Sequence, residues 1–169
     1  VSVAETEAQV DAELNQIAES KREIAPTPVA VEIERATKIC AQAKRAVTSM
    51  FQEARMGKAV DAASAQKLVE EISDSVSRNP GALISLARLK TADNYSYMHS
   101  IAVCALMIGL AHRMGLDEHQ VHLAGIAGLH DIGKSKVPLE VLNKPGPLDA
   151  EEWVIMKSHP RWGYELLLP

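Results

Sequence analysis

The sequence contains few aromatic residues, only 4% of its 169 residues, whereas Ala, Leu, Val and Ile are plentiful. Strands favour β-branched and aromatic side chains, while Ala and Leu favour helices. No segment of useful length alternates apolar and polar residues as a half-buried strand would. We therefore predict an all-α fold, a helical bundle, in which the 47% of apolar residues is sufficient to build a core.

The sequence also lacks an excess of basic residues and carries a formal net charge of −4 at pH 7. Without a basic stripe that could displace counterions from a phosphate backbone, the protein is not expected to bind nucleic-acid polymers. A small anionic substrate remains compatible with this charge, because bound metal cations can dominate the local field of an acidic protein.

Long hydrophobic runs are missing as well. The longest uncharged apolar run, Ile101–Ala111, is well short of the roughly 20 residues that a membrane-spanning helix needs. Residues 1–30 show no apolar segment typical of a secretory signal peptide. The only two cysteines, Cys40 and Cys104, have no CxxC spacing, and we expect them to be buried free thiols. These features predict a cytoplasmic protein that does not span a membrane.

Residues 1–92 are predicted to form an N-terminal helical segment. Prolines, glycines and short breaks divide it into helices over 1–25, 29–56, 61–78 and 81–91. In the second helix, apolar residues recur in steps of three and four and form a seam at the heptad period: Val29, Ile33, Ala36, Cys40, Ala43, Val47, Met50 and Ala54. This seam (residues 29–54) fits a homodimer interface or a signal-relaying element, and it also fits an ordinary packing layer.

Residues 93–169 are predicted to begin with a helix over 94–114 that is apolar on nearly every side and therefore central and buried. A second helix is predicted from Asp117 into His130-Asp131, where Gly125 and Gly128 allow close helix approach, and it ends at Gly133. A loop over 137–147 follows. A capping box of Asp149 and Glu152 begins the next helix, and Pro160 suits the first turn of the last one.

The six histidines differ in their surroundings. His112, His119 and His122 lie among charged and polar neighbours, and we expect them at the surface. His99 lies in the apolar helix, where an unpaired buried imidazole would cost ~1–3 kcal/mol, so on its own it predicts a hydrogen-bonded core histidine. His159, followed by a proline, would on its own be an ordinary surface histidine at a helix boundary.

Adjacent His130 and Asp131 change this interpretation, because two neighbouring ionisable groups in a core need a metal, a buried cation or water. The two side chains can reach one divalent ion, and the second carboxylate oxygen can bridge to another ion about 3.5–4 Å away, as two-metal hydrolases require. Imidazole and carboxylate favour Fe, Mn, Zn, Ni or Co over Ca or Mg. Lys134 is placed to contact a bound phosphate as a point charge, and His159 is the next candidate ligand.

Several motifs in unbroken order resemble the HD-GYP family, bacterial phosphodiesterases of the HD superfamily that hydrolyse cyclic di-GMP. The resemblance covers about residues 80–169, and the helical stretch 29–90 is similar to the region before the catalytic domain in one branch of the family. The motifs are Tyr95-Ser-Tyr-Met-His99-Ser100, Ala127-Gly-Leu-His130-Asp131-Ile-Gly-Lys134, Val137-Pro138, Leu142-Asn-Lys-Pro-Gly146, and Met156-Lys-Ser-His159-Pro160 with Gly163.

The resemblance implies a site with two divalent transition metals, such as Fe or Mn. His99 and His130 would ligate metal, Asp131 would bridge both ions, and His159 would ligate the second ion, while Lys134 would contact the scissile phosphate. A metal-bridging hydroxide would then attack phosphorus in line. Some relatives hold a third metal through a Glu four residues before the first His; because that position is Tyr95 here, two metals are expected.

The sequence departs from the family after His159, where the family has a further His-His pair, another Asp and a Gly-Tyr-Pro loop. The chain ends at Pro169, and Gly163-Tyr164-Glu165 is not that loop. We therefore expect the 169 residues to be catalytically incomplete and their parent protein to be the enzyme. Two alternatives remain open: an HD hydrolase acting on another nucleotide, and a degenerate HD-fold signalling or binding module without catalysis.

Overall fold

The computed structural model describes residues 24–87 and 95–167, and within these ranges it contains helices and turns but no strand, which confirms the all-α prediction. The helices are α1 (Val29–Arg55), α2 (Ala62–Arg78), α3 (Pro80–Ala87), α4 (Tyr95–Arg113), α5 (Glu118–Ala127), a 3₁₀ helix (His130–Lys136), α6 (Leu139–Leu142), α7 (Ala150–Lys157) and α8 (His159–Leu167). The predicted helices 29–56 and 61–78 agree within one residue. Residues 1–23 of the predicted helix 1–25 and residues 88–91 of the predicted helix 81–91 lie outside the described residues, and residues 24 and 25 are not helical.

Aspartate side chains cap the first turn of three of these helices. The sequence analysis predicts two of these starts, the helix from Asp117 and the capping box at Asp149. Asp61 accepts a hydrogen bond from the Ala63 backbone N–H at 3.1 Å. Asp117 and Asp149 each form a capping box with the residue three positions later, Gln120 and Glu152. Because such caps satisfy backbone N–H groups that have no partner inside the helix, they fix the starting points of α2, α5 and α7.

From Ala36 to Ala54 the apolar seam of α1 is buried inside the chain, whereas Val29 at its start is 52% exposed and Ile33 is partly buried. Ala36 and Ala43 have no exposed surface, and Val47 and Met50 are 2% and 3% exposed. The helix packs against α2, α3, α4 and the 3₁₀ helix, so the seam lies in the same core cluster as residues from both halves of the sequence. The structure thus supports the packing-layer interpretation of the seam.

A buried ion pair joins α1 to the end of α2. Glu32 has no exposed surface, and its carboxylate accepts hydrogen bonds from Arg78 Nε at 2.8 Å and Ser75 Oγ at 2.9 Å. Burial acts to raise the pKa of Glu32, but the hydrogen bonds from Arg78 and Ser75 outweigh burial and hold the pKa below its ordinary value. The sequence analysis did not single out this interaction, because Glu32 lies one position from the apolar seam.

Helix α4 is central but not buried on every side, which corrects the prediction for 94–114. Ile101 and Ile108 have no exposed surface, whereas Leu106 and Leu110 on another face are 48% and 56% exposed. Glycines bring α5 close to its neighbours, as predicted: a Cβ at Gly128 would collide with the α4 backbone at Cys104, and one at Gly125 with Val69 of α2. Within the described residues, no helix has both the length and the apolar character that crossing a bilayer requires.

The predicted helix from Asp117 to Gly133 is wrong in its second half. Helix α5 ends at Ala127, and His130–Lys136 is a separate 3₁₀ helix whose interior includes Gly133. The loop predicted over 137–147 contains the single turn α6. These differences matter for function, because the 3₁₀ helix carries the residues of the candidate site.

Candidate metal centre

The 3₁₀ helix places Asp131 and Lys134 side by side. A 3₁₀ helix has three residues per turn, so residues three apart eclipse one another. The Lys134 ammonium donates a hydrogen bond to Asp131 Oδ2 at 2.8 Å, and the Asp131 side chain is only 3% exposed. Lys134 therefore lies one turn beyond Asp131, rather than one turn beyond His130 as an α-helix would place it.

Two glycines allow α8 to lie directly against the 3₁₀ helix. A Cβ at Gly133 would collide with the backbone of α8 at His159 and Gly163, and a Cβ at Gly163 would collide with the backbone of His130. The backbones approach this closely only because both positions lack a side chain. This contact brings His159, the first residue of α8, to the side of Asp131.

Three imidazoles surround the Asp131 carboxylate. His159 Nε2 lies 3.2 Å and His130 Nε2 lies 3.5 Å from Oδ1, while His99 Nε2 lies 3.8 Å from Oδ2. The structure thus brings together all four residues predicted as metal ligands, from α4, the 3₁₀ helix and α8. The two carboxylate oxygens face different imidazoles: Oδ1 faces those of His130 and His159, and Oδ2 faces that of His99.

Backbone carbonyls hold two of the imidazoles in the tautomer that binds metal. His130 Nδ1 lies 3.1 Å from the carbonyl oxygen of Ala127, and His159 Nδ1 lies 2.7 Å from that of Met156. Because a carbonyl oxygen only accepts, each Nδ1 must carry the proton and donate it. In the neutral ring, Nε2 then has a free lone pair facing Asp131, as metal-binding histidines require.

The donor set fits a divalent transition metal. Ligand atoms of His130, Asp131 and His159 all lie within 4.8 Å of one another, and His99 stands at the other carboxylate oxygen. The histidine side chains keep between 18% and 37% of their surface exposed, so a substrate can approach the cluster from solvent. Imidazole with carboxylate suits Fe, Mn, Zn or Co better than Mg or Ca.

The remaining histidines lie apart from this cluster. His119 is exposed, and His112 is exposed with its Nε2 3.3 Å from Ser77 Oγ on α2. His122 is half-buried, although the sequence predicts it at the surface. Tyr95 begins α4, but its side chain lies outside the described part of the structure, so the expectation of two rather than three metals stays a prediction.

Comparison with known families agrees with the fold and the cluster. Residues 96–169 match the family described as "HD domain", and residues 1–65 match one described as "Domain of unknown function (DUF3391)". The HD-domain match covers most of the second half of the chain and includes the adjacent His130 and Asp131. The resemblance of the chain to the HD-GYP family is confirmed.

Named relatives are phosphodiesterases of cyclic dinucleotides. The chain is 54% identical to the cyclic di-GMP phosphodiesterase PA4108 of Pseudomonas aeruginosa over 148 residues, which are 85% of this chain and 36% of that protein. It is 35% identical over 106 residues to the cyclic di-GMP phosphodiesterase response regulator RpfG of Xanthomonas campestris, covering 60% of this chain and 28% of the relative. A 3'3'-cGAMP-specific phosphodiesterase 2 of Vibrio cholerae is 48% identical over 59 residues, 34% of this chain and 11% of the relative. The chain thus spans about a third of these proteins at most, and no solved structure matches it.

Proposed function

We propose that this chain belongs to a metal-dependent phosphodiesterase that hydrolyses cyclic di-GMP in bacterial second-messenger signalling. The observation that carries the proposal is the buried Asp131 carboxylate, which faces three imidazoles and an ammonium group. A buried carboxylate so surrounded by nitrogen ligands has the composition of a two-metal hydrolase site. The names of the relatives that match over most of the chain support cyclic di-GMP as the substrate.

The proposed roles follow from where each side chain lies. Asp131 would bridge two divalent ions, with His99 on the Oδ2 side and His130 and His159 on the Oδ1 side. The ions would activate a hydroxide and offset the negative charge that develops on phosphorus. Lys134 already donates to Oδ2, and its flexible ammonium group would hold a non-bridging oxygen of the scissile phosphate beside the metals.

Four ligand side chains are fewer than two transition-metal ions need in a hydrolase. We therefore propose that this chain alone is inactive and that the complete enzyme contributes further ligands. A cytoplasmic location and a homodimer also remain proposals. Because the seam of α1 is buried within the chain from Ala36 to Ala54, that part of it cannot form the homodimer interface.

A related cyclic dinucleotide is the second candidate substrate. The match to the 3'3'-cGAMP-specific phosphodiesterase of Vibrio cholerae includes 48% identity, although over only 59 residues. The two substrates differ in one base, and the metal cluster acts on the phosphodiester that they share. The ratio of kcat/KM values of the complete enzyme for the two compounds distinguishes these candidates, and we expect it to favour cyclic di-GMP.

Metal content and turnover of the complete parent protein test the proposed function. We expect bound transition metal and hydrolysis of cyclic di-GMP, and we expect Asp131→Asn to lose both, because the amide cannot bridge two cations. His119→Gln is the matched control, since His119 is exposed and lies outside the cluster. Equal metal content in Asp131→Asn and in the unmodified protein would show that Asp131 is no ligand and would remove the proposal.

A further inference from the structure

Arg55 extends from the N-terminal segment to the edge of the metal centre. It is the last residue of α1 and lies within the part of the chain that matches DUF3391 rather than the HD domain. Its Nη2 donates to the backbone oxygen of Lys134 at 3.4 Å, and the Lys134 ammonium in turn donates to Asp131. Lys134 therefore contacts both the Arg55 guanidinium and the Asp131 carboxylate at the centre of the cluster.

Among the described residues Arg55 has no carboxylate partner, in contrast to Lys136 of the 3₁₀ helix and Arg161 of α8. Lys136 and Arg161 both pair with Glu165, at 3.7 and 3.1 Å. Within residues 24–87 and 95–167, no carboxylate lies within 4.0 Å of the Arg55 guanidinium. Its contact with the Lys134 carbonyl is long and exposed, so most of its N–H donors stay available to a ligand.

The substrate class that the proposed function names needs a second phosphate partner. A cyclic dinucleotide carries two phosphodiesters, and only one can occupy the metals while it is cleaved. A guanidinium is well suited to the other, because its planar array of donors matches two phosphate oxygens at once. We propose that Arg55 forms a subsite for the non-scissile phosphate, so that the N-terminal segment supplies part of the substrate-binding site. This inference rests on the proposed function.

Substrate comparison in the complete enzyme tests the subsite. In Arg55→Gln we expect KM for cyclic di-GMP to rise about tenfold with kcat nearly unchanged, because one charged contact to a bound phosphate is lost. Arg55→Lys keeps the charge and should restore most of the affinity. KM for bis(p-nitrophenyl) phosphate, which has a single phosphodiester, should stay the same in both variants. Arg45→Gln is the matched control, since it removes an exposed arginine from the same helix about 15 Å away.

Three outcomes would overturn the subsite. An unchanged KM for cyclic di-GMP in Arg55→Gln would show that the guanidinium does not touch the substrate. A parallel loss of activity on both substrates, with a fall in bound metal, would make Arg55 a positioning residue for the 3₁₀ helix. If the unmodified enzyme neither binds nor hydrolyses any cyclic dinucleotide, the proposed function fails and the subsite fails with it. If the unmodified enzyme does hydrolyse them, an unchanged KM in Arg55→Gln contradicts the subsite alone.

Discussion

Two buried carboxylates in this chain have different partners, and the difference separates a structural residue from a functional one. Glu32 is satisfied by Arg78 and Ser75, which occupy its oxygens at hydrogen-bond distance. Asp131 faces nitrogen atoms of three side chains that can all ligate metal, at distances longer than good hydrogen bonds for two of them. Asp131 is also ion-paired, to Lys134 at 2.8 Å, but unlike Glu32 it additionally faces imidazole nitrogens that can ligate a metal ion.

The Glu32 ion pair makes a stability prediction that depends on pH. Its pKa is lower in the folded than in the unfolded protein, so its contribution is present above the unfolded pKa of about 4.3 and is lost as pH falls through the folded pKa. We expect Glu32→Gln to lower the free energy of unfolding by about 2 kcal/mol at pH 7. Denaturant titrations of both proteins at pH 7 and below pH 4 measure the difference, which should shrink in acid.

The exposed Glu34 on the same helix provides the control for this comparison. Glu34→Gln should change the free energy of unfolding by less than about 0.5 kcal/mol at either pH, because surface substitutions away from special contacts are nearly neutral. A Glu32→Gln variant as stable as Glu34→Gln at pH 7 would show that the ion pair contributes no stability.

Individual site residues were more predictable than the contacts that position them. The adjacency of His130 and Asp131 is visible in the sequence and demands a partner for chemical reasons, and His99 and His159 follow from the family motifs. Glu32 was missed because its partners Ser75 and Arg78 lie more than forty positions away, as their separations of 43 and 46 show. Periodicity identifies which side of a helix is apolar, but it does not reveal a polar side chain buried at the edge of that side.

The contact between the 3₁₀ helix and α8 is the element-level feature on which the site depends. Gly133 and Gly163 face the opposing backbones so closely that neither position has room for a Cβ. The sequence analysis took Gly133 as the end of a helix, the usual meaning of an isolated glycine near a motif. Its actual role depends on α8, which lies some thirty residues later, so local sequence rules could not supply it. By contrast, the ends of α1 and α2 and the capping box of Asp149 and Glu152 were predicted because they depend on neighbouring residues alone.

Gly133→Ala should separate the 3₁₀ helix from α8 and thereby move His159 away from Asp131. The added Cβ would meet backbone atoms of His159 and Gly163, which cannot rotate aside, so we expect a cost of about 3 kcal/mol in the free energy of unfolding. We also expect weaker metal binding, because His159 would no longer face Oδ1. Thermal unfolding with and without added Mn, together with metal titration, measures both effects.

Gly109→Ala in α4 is the matched control for that substitution. A Cβ there would lie 3.8 Å from Val76 Cγ1, an ordinary contact, and alanine is favoured over glycine inside a helix by up to about 1 kcal/mol. Equal or higher stability is therefore expected with metal binding unchanged. If Gly133→Ala behaved in the same way as Gly109→Ala, the close contact of α8 with the 3₁₀ helix would not be what holds the site together.

At the scale of the whole molecule, the N-terminal segment and the HD domain share one core. The cluster of buried residues includes Val47 and Met50 of α1 together with Ile101 of α4 and Ile132 of the 3₁₀ helix. The predicted division at residue 92 therefore has apolar contacts across it, although its status as a domain boundary stays a prediction. A shared core would let a displacement of α1 reach the metal centre directly, because α1 packs on the helix that carries Asp131.

The two cysteines test whether the chain unfolds as one unit, because they lie on opposite sides of that division. Cys40 on α1 is 9% exposed, and Cys104 on α4 has no exposed surface; burial raises the pKa of both thiols, that of Cys104 to about 12. Both should resist thiol reagents in the folded protein and react once unfolding exposes them. The variants Cys40→Ala and Cys104→Ala each keep one thiol, whose reactivity can be followed as denaturant is raised. Circular dichroism of the helices measures the extent of unfolding in the same samples. We expect the thiols of both variants to become reactive at the same extent of unfolding. If the Cys40 thiol reacted while α4 still protected Cys104, α1 would separate from the HD domain before the rest of the chain unfolds, and the core would consist of two units.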